Sequence, residues 1–585
     1  MRGLDAIRGI AVIVAWLYHT HLGAFGVGYM FVDIFGVLSG YLIAGLLLRE
    51  IETTGRINMR MFYLRRARRL LPALTLAVCG VVLYAFVTEP NLLGDLRGEV
   101  VAVLLYMQNW YILLTGRGYF YEYSTMPLRH MWTLSLEEQF YIILPAAFVL
   151  FIVKFKAKIH RVPYYASALA LLSAAASAWI YFDTGDVTAS DMYRGTIPLL
   201  GREVDRLMAV YMSTFTRAGG FLVGVALAFW WKPDQMVNTS RRFDKVVDLI
   251  GVSSMALILV LTNADLVIRD TFAFGLGGGV VGLWILCAGA IIGFTRKESR
   301  LTNRIFVNRW LVWLGVRAYG LYLMAWPVAQ FYRKVPFKTL DPWYFVVSST
   351  IVIVVADLSY RYFENPIRRH GFKAWFTTSF PPRYRKVVGA GFCALFLTTA
   401  AVLITAKPTV NLIEQNVQAG NTGEPVVEST YTVVVLGDST VLSVTDALAR
   451  RGMDVDAERS RGSAETFAIA KTLVDAGQTD VVVVHAGNFG DFTKHELEDY
   501  MVGLQKARMV VLVTVARYNW NDLDKTNDLI RGAAAEHPNT VLFDWYDLTL
   551  RDDELIEYDG VHMTEKGKEA YAQNLAELIA DKYRP

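Results

Sequence analysis

Near its C-terminal end the sequence contains a serine and a histidine whose positions suit nucleophilic catalysis. Gly437-Asp438-Ser439 follows a run of β-branched residues, and Asp559 and His562 lie before the last helical stretch. A serine hydroxyl becomes a good nucleophile when a base takes its proton, and a histidine oriented by a carboxylate is such a base. We therefore predict Ser439 as nucleophile, His562 as its base and Asp559 as the orienting residue. The alternative is a serine in a helix cap and a histidine on the surface.

A second set of ionisable residues lies inside the two apolar stretches that open the chain. Arg8 and His19 are eleven residues apart, which is three helical turns, so both side chains share one helix face about 16 Å apart. That distance reaches from a membrane surface to about the middle of the bilayer. Because ionisable groups in lipid cost several kcal/mol, we expect Arg8, His19 and Asp33 to face a protein interior or a water-filled cavity. For His19, a structural hydrogen bond between helices is the alternative.

Further charged residues open other apolar stretches. The sequence reads RRARR at 65–69, just before the third stretch. Guanidinium groups bind phosphate in a bidentate manner. This cluster therefore suits the phosphates of a cytoplasmic molecule that donates a chemical group, and Arg8 could bind the same anion. A topology signal beside anionic lipid is the alternative. Glu137 and Glu138 open another helix, where acidic residues could have a function or could simply suit the helix dipole. Arg217 opens a further span, where it could belong to a site or could equally be an anchor at the membrane interface.

Composition indicates the class of protein that must hold these residues. Of 585 residues, 54% are hydrophobic and the mean hydropathy is +0.33, which is typical of a polytopic membrane protein. Residues 428–585 carry 28 acidic and 16 basic side chains, against 26 and 42 in residues 1–427. The basic excess fits cytoplasmic loops and does not indicate nucleic-acid binding. Cys79, Cys287 and Cys393 all lie in apolar runs, so we expect neither a disulfide framework nor a metal site.

The hydropathy pattern predicts eleven membrane spans. They lie near residues 4–24, 27–48, 70–88, 139–154, 164–182, 217–231, 246–262, 273–294, 311–332, 343–363 and 386–406. The segment 91–115 carries Asp95, Arg97, Glu99 and Asn109, so its apolar run is short and we expect it to be re-entrant or interfacial. The basic loops then all lie on one side, which predicts a cytoplasmic N-terminus and an extracytoplasmic C-terminal part.

The C-terminal part has a different pattern. Residues 407–430 are polar with scattered glycine and proline, which predicts a linker. Short β-branched runs at 432–437, 480–487, 509–515 and 540–545 then alternate with helical stretches. This alternation is typical of a parallel sheet with helices on both faces. Ligands bind such sheets at the carboxyl ends of the strands, which is where Ser439 lies.

Five motifs in the first 370 residues carry a resemblance to a known family. They are an arginine, ten residues and a histidine followed by VDIFGVLSGYLI, then HMWTLSLEEQFY at 130–141, FTRAGGFLVG at 215–224, YGLYLMAWPV at 319–328 and RYFENPIRR at 361–369. In this order they resemble the acyltransferase-3 family of membrane acyltransferases, over roughly residues 1–370.

The resemblance implies roles for individual residues. His19 and Glu138 match functional positions of the family, which implies catalytic roles. The family's arginine cluster is associated with acyl-CoA, which implies that acetyl-CoA is held by Arg8, Arg65, Arg68 and Arg69. One departure is Ala325, where many relatives have a histidine. This departure weakens any mechanism that requires two membrane histidines.

The C-terminal part resembles the SGNH hydrolase and acyltransferase superfamily, which has Gly-Asp-Ser early and Asp-x-x-His late. The resemblance implies an oxyanion hole, which we place at Gly462 and Asn488. The superfamily has an asparagine two residues after the glycine of its third block, whereas Gly487 is followed here by Asn488 and then Phe489. Losing such a donor costs roughly 3–4 kcal/mol. Either Asn488 substitutes for the missing asparagine, or the domain catalyses its reaction slowly, or it binds its ligand without catalysis.

Together these patterns predict a polytopic α-helical membrane protein of about eleven spans plus a re-entrant segment, with a C-terminal α/β three-layer SGNH-like domain. The expected divisions are an acyltransferase-3 membrane domain at 1–370, an additional transmembrane helix at 371–406, the linker at 407–430 and an extracytoplasmic domain at 431–585. The resemblance implies a bacterial-membrane O-acyltransferase. It would move an acetyl group from cytoplasmic acetyl-CoA across the lipid bilayer to a hydroxyl of a cell-envelope glycan or glycolipid, with no metal and no nucleic-acid partner.

Two functions from other classes are compatible with the same residues. A transporter with a binding domain would use the spans without acyl-CoA. A membrane-anchored esterase of envelope glycans would use Ser439 but would need only one span, which leaves the ionisable residues of the other spans unexplained. The sequence does not choose among acceptor glycans.

Overall fold

The structure is a computed structural model that describes most of the chain. The described residues are 1–19, 32–115, 126–150, 159–182, 196–236, 239–262, 279–332, 342–406, 431–458, 461–488, 492–516, 523–557 and 560–583. They form two compact units, one of residues up to 406 and one of residues from 431 onward. The predicted linker at 407–430 lies outside the described residues.

The first unit is mainly helical. Its helices, within the described ranges, are α1 (Arg2–His19), α2 (Val32–Thr54), α3 (Met59–Thr88), α4 (Leu93–Leu104), α5 (Gln108–Leu114), α6 (Trp132–Phe148), α7 (Val162–Phe182), α8 (Arg206–Met212), α9 (Thr214–Trp230), α10 (Arg241–Leu261), α11 (Val280–Thr295), α12 (Arg300–Phe306), α13 (Arg309–Val316), α14 (Ala318–Tyr332), α15 (Pro342–Ser359), α16 (Asn365–His370), α17 (Phe372–Ser379) and α18 (Pro382–Thr405). An antiparallel hairpin of β1 (Thr196–Leu199) and β2 (Arg202–Asp205) precedes α8.

Several of these helices have the length and composition of membrane spans. Within the described residues, six helical segments qualify: Val32–Thr54, Met59–Thr88, Ile159–Phe182, Arg206–Gln235, Phe345–His370 and Pro382–Thr405. Two sharply bent pairs, α11 with α12 and α13 with α14, raise the number to eight if each is one span. A helical membrane protein with a C-terminal α/β domain is therefore confirmed in outline, and the count of eleven spans stays a prediction.

The segment 91–115 forms the two short helices α4 and α5, of 12 and 7 residues. Neither helix alone has the roughly 20 residues that a bilayer crossing needs. The Glu99 side chain of α4 is fully buried, and its Oε2 accepts hydrogen bonds from the Leu128 backbone N–H at 3.1 Å and from the Gln108 side-chain amide at 3.4 Å. This carboxylate therefore holds α5 and the turn before α6 together.

Two glycines set the closest approach of α2 and α9. A Cβ atom on Gly40 would lie 2.1 Å from the carbonyl oxygen of Phe221, and one on Gly224 would lie 2.1 Å from that of Val37. These distances leave no room for a side chain, as is common where membrane helices pack backbone to backbone. The crossing therefore depends on both glycines.

The second unit is a parallel β-sheet flanked by helices. Its strands are β3 (Val433–Gly437), β4 (Asp454–Ala457), β5 (Val481–His485), β6 (Met509–Val513) and β7 (Thr540–Phe543), in the order β4-β3-β5-β6-β7. Its described helices are α19 (Ser439–Leu442), α20 (Thr445–Ala449), α21 (Ser463–Asp475), α22 (Lys494–Gly503), α23 (Leu523–Glu536), α24 (Trp545–Arg551) and α25 (Glu565–Lys582). The strand order reverses at β3, so the switch point where such sheets bind ligands lies between β3 and β5.

Apolar cores lie on both faces of this sheet, because alternate strand residues point to opposite sides. Val481 belongs to the same cluster as Tyr571 of α25, whereas the next residue, Val482, belongs to the cluster of Phe467 of α21. Strands that are buried on both faces read as continuous apolar runs, which is why four of the five strands are predicted from sequence. The edge strand β4 is not, because its sequence DVDA is partly polar and, among the described strands, it pairs with β3 alone.

We predict that Gly40→Val destabilises the first unit. A side chain at this position must displace the α9 backbone, and overpacking of this kind costs roughly 1–3 kcal/mol or more. The matched control is Gly45→Val on the same helix, where a Cβ atom meets nothing within 4 Å. The purified proteins are heated in detergent, and the folded fraction is measured by size-exclusion chromatography. The Tm should be lower for Gly40→Val alone. Equal Tm values for the two variants would contradict the close crossing.

Candidate functional sites

A cavity of about 570 Å³ lies inside the first unit. Its wall includes Arg8 and His19 from α1, Asp33 from α2, Arg69 from α3 and Arg217 from α9. The volume lies within the range of small-molecule sites. The structure therefore brings residues of four separate helices, all singled out from the sequence, to one cavity.

Helix α1 contributes residues at two levels of this cavity. Near its start, Arg8 Nη1 donates a hydrogen bond to Asp5 Oδ1 at 2.9 Å. At its end, the His19 ring packs edge-on against Trp326 of α14, with 4.9 Å between the ring centroids. Because Arg8 and His19 both line the cavity, it extends along about three turns of α1.

Asp33 and Arg217 form a buried ion pair between α2 and α9. Arg217 Nη1 donates to Asp33 Oδ2 at 2.9 Å, and Trp284 Nε1 of α11 donates to Asp33 Oδ1 at 2.9 Å. Arg217 Nε also donates to the carbonyl oxygen of Tyr211 at 2.9 Å. The two charged side chains are 4% and 6% exposed. Removing one partner of a buried pair leaves an uncompensated charge, at a cost of about 3–5 kcal/mol, so this pair holds three helices together at the cavity wall.

The arginine cluster of α3 is divided between two environments. Arg66 and Arg69 line the cavity. Arg65 has a side chain that is 56% exposed, and Arg68 lines a separate depression next to α17. Of the arginines predicted to hold the donor, Arg8 and Arg69 therefore reach the cavity, whereas Arg65 and Arg68 are not among its lining residues.

Arg66 is a cavity residue that is not among the four arginines assigned to the donor from sequence. Its Nη2 donates to Glu138 Oε1 at 2.5 Å, and its guanidinium carbon lies 3.2 Å from the ring centroid of Tyr141. Glu138 thus positions Arg66, while its neighbour Glu137 lines the cavity and accepts a hydrogen bond from the Tyr141 hydroxyl at 3.1 Å. Spacing gives no signal for Arg66, because Arg65 and Arg68 are three residues apart just as Arg66 and Arg69 are.

In the second unit, Ser439 and His562 meet at the carboxyl end of the sheet. His562 Nε2 lies 3.0 Å from Ser439 Oγ, which is the geometry of a nucleophile and its base. Strand β3 ends at Gly437 and α19 begins at Ser439, and between them the Asp438 carboxylate accepts a hydrogen bond from the Thr440 backbone N–H at 2.8 Å. Asp438 therefore caps α19 while Ser439 presents its hydroxyl to the histidine.

The loop around His562 is anchored by its backbone. The Glu557 N–H donates to the His562 carbonyl oxygen at 2.7 Å, and Ile556 forms an antiparallel bridge with Met563. Asp559, predicted to orient the imidazole, lies outside the described residues. Its role stays a prediction.

The two predicted oxyanion donors lie at the ends of different secondary-structure elements. Gly462 is the residue before the first turn of α21. Asn488 follows β5, is 3% exposed, and its Nδ2 donates to Thr440 Oγ1 at 3.1 Å. Because Thr440 directly follows the nucleophile, Asn488 joins the β5 loop to the turn that carries Ser439. Asn488 is thus placed at the site although its position in the motif is shifted.

His485 is a buried residue near this pair that the sequence does not single out. It ends β5 beside Gly437 in the sheet register, and its Nδ1 lies 3.1 Å from the Tyr571 hydroxyl. Burial lowers the pKa of His485 to about 4, and the nearby Asp438 carboxylate opposes this shift in part. Burial also raises the pKa of Tyr571. A histidine at the end of an apolar strand has no sequence signal that separates it from the core.

Known proteins resemble both parts of the chain. A family described as the acyltransferase domain matches residues 1–361. The O-acetyltransferase OatA of Staphylococcus aureus (strain MRSA252) is 27% identical over 602 residues, which cover 97% of this chain and 94% of that protein. The C-terminal catalytic domain of Streptococcus pneumoniae peptidoglycan O-acetyltransferase A, solved with a methylsulfonyl adduct, is 20% identical with a TM-score of 0.22 and covers 26% of this chain and 93% of its own. A lipase/acylhydrolase from Enterococcus faecalis is 16% identical with a TM-score of 0.23, covering 27% and 98%.

We predict that the free energy of unfolding of residues 431–585 falls below pH 6.5 in a way that depends on His485. The folded-state pKa of His485 is about 4, whereas an unfolded histidine has a pKa of about 6.5. Above pH 6.5 neither state binds the proton. Below it the unfolded chain binds the proton first, so stability is lost progressively, by roughly 3 kcal/mol near pH 4.

Urea unfolding of the isolated unit at several pH values measures this effect. The His485→Gln variant should have a weaker pH dependence than the wild type. His495→Gln is the control, because the His495 side chain is 89% exposed and the substitution should leave the pH dependence unchanged. The same dependence in wild type and His485→Gln would show that His485 is not held neutral in the folded unit.

Proposed function

This chain belongs to the acyltransferase family whose domain matches its residues 1–361, and from that premise we propose that it is an O-acetyltransferase of the cell envelope. It takes an acetyl group from acetyl-CoA and transfers it to a hydroxyl of an envelope glycan or glycolipid. Similarity to a protein named O-acetyltransferase along nearly the whole chain supports this reaction. The observation that carries the proposal is the cavity that gathers His19 with Arg8, Arg66 and Arg69 inside an apolar helical unit.

The chemistry of the cavity wall matches that of an acyl-CoA. Arg8 and Arg69 supply guanidinium groups for the phosphates, and Arg66 is held in place by its ion pair with Glu138. His19 lies three turns farther along α1 than Arg8, at a level where the wall includes Trp326. The phosphates and the thioester can therefore occupy different levels of one cavity.

In the proposed transfer, His19 carries a proton to the leaving sulfur from an attacking hydroxyl. This hydroxyl belongs to a carrier alcohol that receives the acetyl group in the cavity, passes it on to Ser439 and leaves as the free alcohol. The hydroxyl oxygen forms its bond to the acyl carbon, the carbon–sulfur bond breaks, and the proton of the hydroxyl ends on sulfur, which releases free CoA.

The second unit completes the transfer through Ser439. His562 takes the serine proton as the acetyl group moves onto Oγ, and it returns the proton to the departing group. In a second step His562 takes the proton of the glycan hydroxyl, which displaces the acetyl group from Ser439. The 3.0 Å separation of Ser439 Oγ and His562 Nε2 supports this covalent step.

The proposed topology has eleven spans, a cytoplasmic N-terminus and an extracytoplasmic second unit. It is supported by the basic segments near 65–69, 154–161, 241–245, 295–300 and 383–386, which fall on one side only if 91–115 does not cross. A cytoplasmic donor and an external acceptor also require sites on both sides.

Labelling of a cysteine at position 430 by an impermeant reagent in intact cells supports this orientation, and protection contradicts it.

We predict that His19→Ala and Ser439→Ala stop glycan acetylation at different steps. Loss of the cavity base should lower transfer by roughly 100-fold or more, with no acetyl group reaching the second unit. Loss of the nucleophile should leave acetyl-CoA binding intact and stop delivery to the glycan. Mass analysis of envelope glycans, with acetyl-CoA binding to purified protein, separates the two cases.

The control for these variants is His160→Ala, because His160 is exposed and does not line the cavity. Normal glycan acetylation by the His19→Ala protein would remove the proposed donor site. Normal acetylation by the Ser439→Ala protein would limit the second unit to acceptor binding and place the whole reaction in the cavity.

A further inference from the structure

His130 is a buried histidine of the cavity wall without a role in the transfer described so far. It lies in the 3₁₀ turn Arg129–Met131 that leads into α6, is 5% exposed and lines the cavity. The Leu323 backbone is a hydrogen-bonding neighbour of the ring, and within the described residues neither ring nitrogen makes a closer hydrogen bond. A neutral imidazole has one donor and one acceptor nitrogen. The Leu323 carbonyl oxygen can take up the donor, so the acceptor nitrogen of His130 is the one that the described protein leaves unused.

Two aromatic residues on one face of α14 contact His130 and His19. Tyr322 and Trp326 are four residues apart, so their side chains are neighbours on the helix surface, with Cβ atoms about 6 Å apart. The His130 ring centroid lies 5.0 Å from that of Tyr322, and the His19 ring centroid lies 4.9 Å from that of Trp326. Both imidazoles therefore pack along the same stretch of α14 and line the same cavity.

The backbone of His130 is fixed independently of its ring. The Tyr322 hydroxyl donates to the His130 carbonyl oxygen, and the same hydroxyl lies 2.8 Å from Thr133 Oγ1. These contacts hold the turn before α6 against α14. The ring is thus preorganised while its acceptor nitrogen stays available to a bound molecule.

Two carboxylates near the wall have partners within the protein. Asp33 accepts from Arg217 and Trp284, and Glu138 accepts from Arg66. Buried polar side chains are nearly always hydrogen-bonded, so an unsatisfied one calls for an explanation. A substrate hydroxyl in the cavity can donate a hydrogen bond to the acceptor nitrogen of His130.

We propose that His130 is a second catalytic residue of the cavity, which takes the proton of the hydroxyl that attacks the acyl thioester, while His19 protonates the leaving sulfur. This inference rests on the proposed acetyl-CoA-dependent transfer. As the carbon–oxygen bond forms and the carbon–sulfur bond breaks, the hydroxyl proton moves to His130 and a proton held by His19 moves to sulfur. Proton transfer from His130 to His19 then restores both residues.

Two histidines divide a task that is difficult for one. The attacking oxygen and the leaving sulfur lie on different sides of the reacting carbon, and a general acid or base must be within hydrogen-bond reach of the atom it serves. With alanine at position 325, His19 is the one histidine of the membrane part that the sequence assigns to the transfer. His130, which packs one helical turn away on the same face of α14, supplies the second.

Ala325 offers a test of this arrangement. Ala325 lines the same cavity, and in the sequence it lies between Tyr322 and Trp326. Ala325→His would therefore introduce an imidazole beside the positions of His19 and His130. The variants are His130→Gln, His130→Ala and the double variant His130→Ala with Ala325→His. His130→Gln keeps a polar side chain, and the amount of folded full-length protein in the membrane is measured for each variant.

The assay is transfer of radiolabelled acetyl from acetyl-CoA to envelope glycan by membranes that contain the full-length protein. We expect both His130 variants to lower kcat by roughly 100-fold, with the KM for acetyl-CoA within about threefold of wild type. The double variant should regain at least about tenfold over His130→Ala. His160→Gln, on an exposed histidine, should match the wild type.

Other outcomes overturn the inference. A wild-type kcat in folded His130→Gln would exclude a proton-transfer role, and a loss that a raised KM accounts for would make His130 a binding residue. A double variant no more active than His130→Ala would show that the imidazole itself is not what the site needs. Wild type and His19→Ala serve as references: absence of transfer by wild type would refute the proposed function and this inference together, whereas an active wild type with active His130→Gln would refute the inference alone.

Discussion

The placement of charge inside apolar helices is the constraint on which the membrane unit depends. A charged group away from water must be paired, or it must face a wet cavity. Asp33 and Arg217 satisfy this constraint as a buried pair, which the close glycine crossing of α2 and α9 makes possible. Arg8, Arg69 and His19 satisfy it by lining one cavity. The residues that are costly to bury are therefore either paired or gathered at this cavity.

Sequence reasoning finds the residues that a helical period connects. Arg8 and His19 are predicted to share a face because eleven residues make three turns, and both reach the cavity. The period does not show which side of α3 faces inward, so the sequence does not separate Arg66 from Arg65. Nor does it show that the turn before α6 places His130 on α14, because that contact depends on packing between distant segments.

In the second unit, the parallel sheet is predictable because strands buried on both faces read as apolar runs. The meeting of Ser439 with His562 follows from the rule that ligands bind at strand carboxyl ends, and the structure has this contact at 3.0 Å. The bond from Asn488 to Thr440 and the burial of His485 against Tyr571 have no such signal. They depend on which side chains meet after the strands have paired.

Photocrosslinking measures the donor site most directly. The full-length protein is incubated with a CoA thioester that carries a photoreactive acyl group, irradiated, digested and analysed by mass spectrometry. A donor held in the cavity predicts labels on the peptides of α1 and α14 that contain His19 and Trp326, and excess acetyl-CoA should prevent this labelling. Labels confined to residues 431–585, or labelling that acetyl-CoA does not reduce, would contradict a donor site inside the membrane unit.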